Sequence, residues 1–298
     1  MLHPGSLRIG LPGKGRLSKA AIELFSKADY LVKHDGKKLS FYDNRENIDF
    51  LFLRTQDIPT LIDAGIIDLG VSGTDNVFEK KLSLTEILPL EFGQCRLCVA
   101  ASKQIPYDGD LKGFFLQQRQ QKKDRKKNRI VTSFPNITND FFLKNGIDIE
   151  CIVVQGSVEI MISLHGSDAI VDLVDTGKTL ENNGLKVLET IGDYHCSLLA
   201  KDDLSNNEKV DEMIKRLKGI ILSSKYSILE YNILKTKLKE AEKITPGFDA
   251  PTISHLDDSS RVAVKVMIQK SEVISAMNSL EKIGASGIFE TVIRNCRL

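Results

Sequence analysis

Apolar positions in the first hundred residues follow two rhythms. Short continuous runs at Leu7–Leu11, Ile48–Leu53 and Leu69–Val71 have the length of buried strands. Between the first two, Leu17, Ala21, Leu24, Phe25 and Ala28 recur at helical spacing. This predicts an amphipathic helix over about 18–28 with Ser18 placed to cap it. Asp57-Ile58-Pro59 starts a second, short helix, with proline in the first turn, where its missing N–H goes unused. GQCRLCVAAS, residues 93–102, reads as a further strand.

The same alternation returns downstream. Arg129–Phe134 is a predicted strand, Pro135–Asn145 a helix ended by Gly146, and Ile149–Val154 a strand. Gly156-Ser157 opens a helix carrying Val158, Met161, Ile162 and His165, and DAIVDLV at 168–174 is a buried strand. Two similar α/β lobes with mainly parallel sheets follow from this order. Ligands of such sheets bind beyond the carboxyl ends of the strands, so a cleft between the lobes is the expected site. The rhythm then changes. After a polar gap at 205–208 and an amphipathic helix over about 209–223, strands at Ser227–Ile233, Thr252–Leu256, Val262–Ile268 and Gly287–Ile293 enclose helices at Lys235–Lys243 and Val273–Ile283. The order βαββαβ is the ferredoxin-like pattern.

Composition narrows the class. The chain has 298 residues, 42% of them hydrophobic and 27% charged, with a net charge of +1. That is a multidomain globular composition with no global field toward nucleic acid or membrane. No apolar run reaches the roughly 18 residues of a transmembrane helix, and the first residues lack the pattern of a secretory signal. Five scattered cysteines make no disulfide framework, and a reducing, cytoplasmic setting is expected. Cys95 and Cys98 form a CxxC, but on a strand they point to opposite faces, which suits neither a redox pair nor zinc. Residues 112–129 differ from the rest, being Gln-rich and then strongly basic. Without interleaved aromatics to stack bases, the segment reads as a solvated, mobile insertion rather than a nucleic-acid site.

The candidate chemistry concentrates at Asp168–Leu180. The buried strand runs into Asp175-Thr176-Gly177-Lys178-Thr179, and Leu180–Asn183 can start a helix. A small, hydroxyl-rich turn of this kind offers free N–H groups to a phosphate. Asp168 and Asp172 upstream suit sugar hydroxyls or a magnesium ion. Gly177-Lys178-Thr179 is not a nucleoside-triphosphate P-loop, because the motif requires glycine at position 172, which is aspartate. A cradle for one phosphomonoester beside a ribose fits better. A non-enzymatic small-ligand binder is the alternative for two lobes around a cleft.

This segment resembles the phosphoribosyl-diphosphate loop of the ATP phosphoribosyltransferases, which open histidine biosynthesis. Six other segments match that family in order: LRIGLPGKGRLS at 7–18, FLRTQDIPTLIDAGIIDLGVSGTDNV at 52–77, FGQCRL at 92–97, IVTSFPNIT at 130–138, GSVEI at 156–160 and ITPGFDAPTI at 244–253. The resemblance spans nearly the whole chain. It implies an α/β fold, with a two-lobed, periplasmic-binding-protein-like catalytic core and a C-terminal ferredoxin-like domain. The expected division is 1–100 with about 195–222, then 101–194, then a regulatory domain at 226–298.

The resemblance also implies a reaction. Adenine N1 of ATP displaces pyrophosphate from phosphoribosyl diphosphate at the anomeric carbon, with Mg2+. Lys14, Arg16, Arg54 and Asp172 are the expected catalytic residues. Gly15, Asp75, Glu159, Asp168, Asp175, Thr176, Gly177, Lys178, Thr179 and Leu180 are the expected substrate contacts. Asp168 and Asp172 are the expected metal ligands. His165, His195 and His255 are read as structural or exposed, since N1 carries no proton to remove. The long form of the family is inhibited by histidine through its C-terminal domain, which implies Asn232, Thr252, Ala285 and Gly287 as a histidine site in a homo-oligomer. Two features depart from the family: residues 114–128 are longer and more basic, and Asn232 stands where relatives can carry an acid.

Overall fold

The computed structural model describes residues 3–121, 127–156, 158–163, 166–201 and 207–297. The chain divides into two compact units, 1–22 with 32–204, and 23–31 with 205–298.

The first unit holds both α/β lobes. In chain order they comprise β1 (Leu7–Pro12), α1 (Ser18–Lys27), β2 (Ser40–Asp43), β3 (Ile48–Leu53), α2 (Ile58–Asp63), β4 (Leu69–Gly73), α3 (Thr74–Glu79), β5 (Thr85–Pro89), β6 (Cys95–Ser102), α4 (Leu111–Gln121), β7 (Asn128–Thr132), α5 (Pro135–Lys144), β8 (Ile149–Val153), α6 (Ile160–Ser163), β9 (Ala169–Val174), α7 (Lys178–Asn182), β10 (Leu185–Tyr194) and β11 (Cys196–Ala200). The helix α1 starts in this unit and ends in the other. One sheet runs β2-β3-β1-β4-β11-β5 and the other β10-β6-β9-β7-β8. The chain passes between them twice, after β5 and after β10, so the first passage falls at 90–94 rather than near 100.

Each lobe contains the same parallel triplet, β3-β1-β4 in one and β8-β7-β9 in the other. Its central and flanking strands are clasped alike at their amino ends. The Arg8 and Arg129 N–H groups donate to the carboxylates of Asp68 and Asp168, both at 2.7 Å. The Asp68 and Asp168 N–H groups return bonds to the Arg8 and Arg129 carbonyls, both at 2.9 Å.

The predicted apolar stripe is buried: Leu17, Ala21, Leu24, Phe25 and Ala28 are each at most 8% exposed. Strands β2, β5, β10 and β11 were not legible. They are short, at an edge, or, for β11, a five-residue buried run with no alternation. Of the predicted helix from 156, the described residues show α6, with Val158 and Glu159 in a turn before it, and His165 lies outside the described residues.

The insertion reading needs correction. Its first half is α4, and Leu111, Phe114, Phe115 and Gln118 are buried at helical spacing. Phe115 stacks edge-on against Phe142 at 5.3 Å, inside the core of the second lobe. Burying each of these rings contributes about 1.5–3 kcal/mol. The Gln-rich composition hid a valid helical stripe, and the basic residues 122–126 lie outside the described part.

The second unit begins with α8 (Glu208–Lys225), whose N-terminus Asn207 caps by accepting from the Lys209 and Val210 N–H groups. By its contacts this helix groups with the second unit. Then come β12 (Tyr226–Leu234), α9 (Leu238–Ile244), β13 (Thr252–His255), β14 (Arg261–Gln269), α10 (Val273–Lys282) and β15 (Ser286–Val292). The sheet order β13-β14-β12-β15 with every neighbour antiparallel is the ferredoxin-like arrangement. The inward face of Leu229, Tyr231, Ile233, Val262, Val264 and Val266 packs with Val273, Ala276 and Leu280 of α10. Among the described residues, no helix is long and apolar enough to cross a membrane.

Candidate active site

The parallel triplets decide where side chains converge. β1, β3 and β4 end at Pro12, Leu53 and Gly73, and release Lys14-Gly15-Arg16, Arg54 and Asp75. β7, β8 and β9 end at Thr132, Val153 and Val174, and release Ser133, Gln155 and Asp175-Thr176-Gly177. All of these residues line one of two adjoining cavities at the carboxyl ends of the strands, as expected for open α/β sheets.

The first cavity, about 300 Å³, is lined by Asp172, Asp175, Thr176, Gly177, Thr179, Leu180, Glu159, Arg16 and Cys95. The second, about 540 Å³, is lined by Lys14, Gly15, Arg16, Arg54, Asp75 and Asn76 from one lobe, and Ser133, Phe134, Gln155 and Gly156 from the other. Arg16 and Leu173 line both.

Gly177 makes the turn possible. Its φ of +80° is left-handed, and its carbonyl accepts from the Glu181 N–H at 3.0 Å. The helix behind it, α7, has only five residues, so what this turn offers a ligand is local N–H and hydroxyl groups more than a macrodipole. Gly177→Ala should cost about 1 kcal/mol of stability through the forced left-handed backbone. It should also raise the KM for the phosphate-bearing substrate. Urea titration and steady-state kinetics read the two effects, and an unchanged KM would remove the turn from the binding site.

Asp172 sits within β9 opposite Cys98 of β6. Burial is the main reason its carboxyl is pushed up to about 6, and the nearby Glu159 charge adds to the rise. Asp75 opens α3 and is 3% exposed. Burial pushes it up to about 6 against the pull of Arg16. Its carboxylate fills the space beside Gly73, where a Cβ would stand 2.0 Å from Oδ1. The Asn76 side chain donates to its Oδ2 at 3.0 Å. The Arg16 guanidinium donates to Cys95 Sγ at 3.1 Å. The loop carrying Arg54 is tied to β4, as Ser72 Oγ donates to the Thr55 carbonyl at 2.9 Å.

Contacts across the cleft hold the lobes in register. The Glu79 carboxylate accepts from the Asn136 and Ile137 N–H groups at 2.8 and 3.0 Å, capping α5 of the other lobe. Burial raises its pKa. Lys81 pairs with Asp140 at 2.9 Å, and Gln56 donates to Gln155 at 3.3 Å.

Two expected residues lie elsewhere. Asp168 is at the amino end of β9, the far end from the Gly177 turn, and its carboxylate accepts from the Arg129 N–H. Its counterpart is Asp68, which clasps the first lobe, so Asp168 is a structural residue and neither a ribose contact nor a metal ligand. Lys178 is exposed at the start of α7 and does not line the cavity. Cys95 was missed. Strand alternation correctly separates it from Cys98, which is buried in a core cluster, but cannot show which face meets Arg16. His195 pairs with Glu86 at 3.0 Å near the surface, and His255 is exposed.

In the second unit, Asn232 and Gly287 meet across β12 and β15: a Cβ at Gly287 would stand 3.4 Å from Asn232 Nδ2. The Arg261 side chain donates to the Asn232 carbonyl at 3.3 Å and to Ser286 Oγ at 2.7 Å. Ala285 precedes β15 beside this corner. Thr252 is on the outer strand β13, with β14 between it and β12, so one chain does not bring it to Asn232.

A family model for ATP phosphoribosyltransferase matches residues 54–219, and one for the HisG C-terminal domain matches 223–295. The chain belongs to the ATP phosphoribosyltransferase family. It is of the long form, with the C-terminal domain present. The ATP phosphoribosyltransferase of Rhodopirellula baltica is 40% identical over 294 residues, covering 98% of this chain and 94% of its own. That of Salinibacter ruber is 36% identical, covering 98% and 100%. The solved ATP phosphoribosyl transferase (HisG:HisZ) complex from Thermotoga maritima superposes with a TM-score of 0.60 at 26% identity, over 71% of this chain and 96% of that one.

Proposed function

We propose that the two cavities divide the substrates of the ATP phosphoribosyltransferase reaction, the first step of histidine biosynthesis. The turn Asp175–Thr179 takes the 5′-phosphate of phosphoribosyl diphosphate. Asp172 faces the ribose hydroxyls. Lys14, Arg16 and Arg54 face the diphosphate and the ATP phosphates. Adenine N1 uses its lone pair to form the bond to the anomeric carbon, and the bond to pyrophosphate breaks with its electrons on the leaving oxygen. N1 has no proton to lose, so the carboxylates and cations that line the two cavities can serve the reaction without a general base. Positioning and charge stabilisation carry the rate. One observation supports this division most: a hydroxyl-rich turn and the half-buried Asp172 lie in one cavity, three cations lie in the next, and Arg16 is common to both.

Magnesium fits the donor set. Asp172 and Glu159 line the same cavity and repel each other's charge. Among the described residues, no group of three or more His, Cys, Asp or Glu gathers to hold a metal. The two carboxylates of the first cavity suit an ion held by one or two carboxylates together with substrate phosphates. When bound, magnesium supplies charge neutralisation on the diphosphate.

Formation of phosphoribosyl-ATP from ATP and phosphoribosyl diphosphate tests the reading. Asp172→Asn is expected to lose at least about a hundredfold in kcat/KM with the fold intact, and full activity would remove Asp172 from the site. The C-terminal domain is proposed to bind histidine as inhibitor near Asn232 and Gly287, in a cytoplasmic homo-oligomer. A histidine titration of the assay and sedimentation of the protein test these points. Uninhibited turnover at millimolar histidine would refute the first, and a monomer would refute the second.

A further inference from the structure

We infer that His34 is a positioning residue for the basic loop: its imidazole fixes the Gly13 carbonyl, and through it the course of the backbone that carries Lys14 and Arg16. The inference rests on the assignment of that loop to substrate phosphates.

His34 Nε2 lies 2.9 Å from the Gly13 carbonyl oxygen. A carbonyl only accepts, so Nε2 carries the proton. The ring stacks on Phe52, with centroids 4.0 Å apart and planes 28° apart. The Gly13 N–H donates to the Leu53 carbonyl at 2.8 Å. The same Phe52 fills the third side of Gly13, where a Cβ would meet its main-chain carbon and Cβ at 3.2 Å. Gly13 is therefore held at its N–H, at its carbonyl and over its Cα. Beyond it the main chain turns left-handed at Gly15, with φ of +84°.

The segment that presents His34 is itself ordered. Val32 is 6% exposed. Asp35 Oδ1 accepts from the Lys37 and Lys38 N–H groups, both at 2.9 Å, and these bonds lower its pKa. The Leu39 carbonyl accepts from the Phe52 N–H at 2.8 Å. The imidazole thus stands on a fixed turn beside β3, not on a free loop.

The loop needs such a hold. Lys14 and Arg16 are exposed cations two residues apart. Their mutual repulsion and solvation favour a splayed loop, whereas stabilising a departing diphosphate requires both in place beforehand.

His34→Phe keeps a ring on Phe52 and removes the donor, while His34→Gln returns an N–H near Nε2. Kinetics at varied phosphoribosyl diphosphate and amide hydrogen exchange of residues 13–17 read the two consequences. The expected result for His34→Phe is a roughly ten- to hundredfold lower kcat/KM together with faster loop exchange. His34→Gln should restore most of both, with melting temperatures close to that of the unaltered protein. Unaltered exchange in His34→Phe, or equal impairment of His34→Gln, overturns the inference. Faster exchange with unaltered kinetics leaves His34's grip standing and overturns the loop's assignment to the phosphates. His34→Ala serves as a second donor-free variant should His34→Phe not fold, and the same outcomes decide.

Discussion

Arg16→Ala should lower kcat by about two to three orders of magnitude, the effect of deleting one preorganised group that meets developing charge. Arg16 lines both cavities, so it can reach charge on either side of the bond that breaks. Its stability cost should be small. The side chain is exposed, and its fixed partner is the Cys95 sulfur, a weak acceptor. An ordinary surface substitution stays within about 0.5 kcal/mol, and the lost attraction to the buried Asp75 carboxylate should bring the cost here to about 1 kcal/mol. Arg16→Lys should recover little, because an ammonium cannot present the planar fork of a guanidinium. Single-turnover rates beside thermal melts separate the two effects. An Arg16→Ala enzyme with normal kcat, or one whose loss follows unfolding, would end the assignment.

Asp75→Asn should make the protein more stable and less active. Burial raises the Asp75 pKa from 3.8 to about 6. Between those values the native state keeps a proton that the unfolded chain has released. The stability this contributes is full below about pH 4 and is lost as pH rises through 6. Above that, an ionised carboxylate sits where burial disfavours it, at a cost on the order of 3 kcal/mol. Asparagine has the same shape and no charge. The roughly 3 kcal/mol is already net of the attraction to Arg16; allowing for a buried amide that is only partly hydrogen-bonded, the variant should gain about 1–2 kcal/mol at pH 8 and nothing at pH 4. Its kcat/KM should fall about tenfold or more, since a group kept at such cost is expected to serve the site. Urea midpoints at the two pH values, with kinetics at pH 8, check both halves. Equal midpoints at pH 8 would mean that the carboxylate is not strained.

The site was legible where it depends on strand ends. Lys14, Arg16, Arg54, Asp75 and Asp175 each follow an apolar run that can be recognised locally, and parallel sheets place such residues together. Asp172 was legible as an acid inside a buried strand. Asp168 looked equivalent to it, four residues earlier on the same strand. What separates them is a bond to Arg129, 39 residues away in sequence, and the matching Asp68–Arg8 clasp in the other lobe. No local pattern reports a partner at that distance. The same holds for Cys95 and His34, whose contacts with Arg16 and Gly13 span 79 and 21 residues. In α4 the helical stripe of Leu111, Phe114, Phe115 and Gln118 is present in the sequence, and the Gln-rich, basic residues around it mask it.

The sequence by itself determined the two α/β lobes, the ferredoxin-like order after them, the hydroxyl-rich turn after the buried strand and the family, because strand runs, helical stripes and turn residues act over a few neighbours. Only the tertiary structure decided which acid faces the cleft and which clasps the sheet, which cysteine face meets Arg16, and what holds the basic loop. Those are choices among chemically similar side chains. They are made by the register of parallel strands and by burial, which exist only once distant segments have packed.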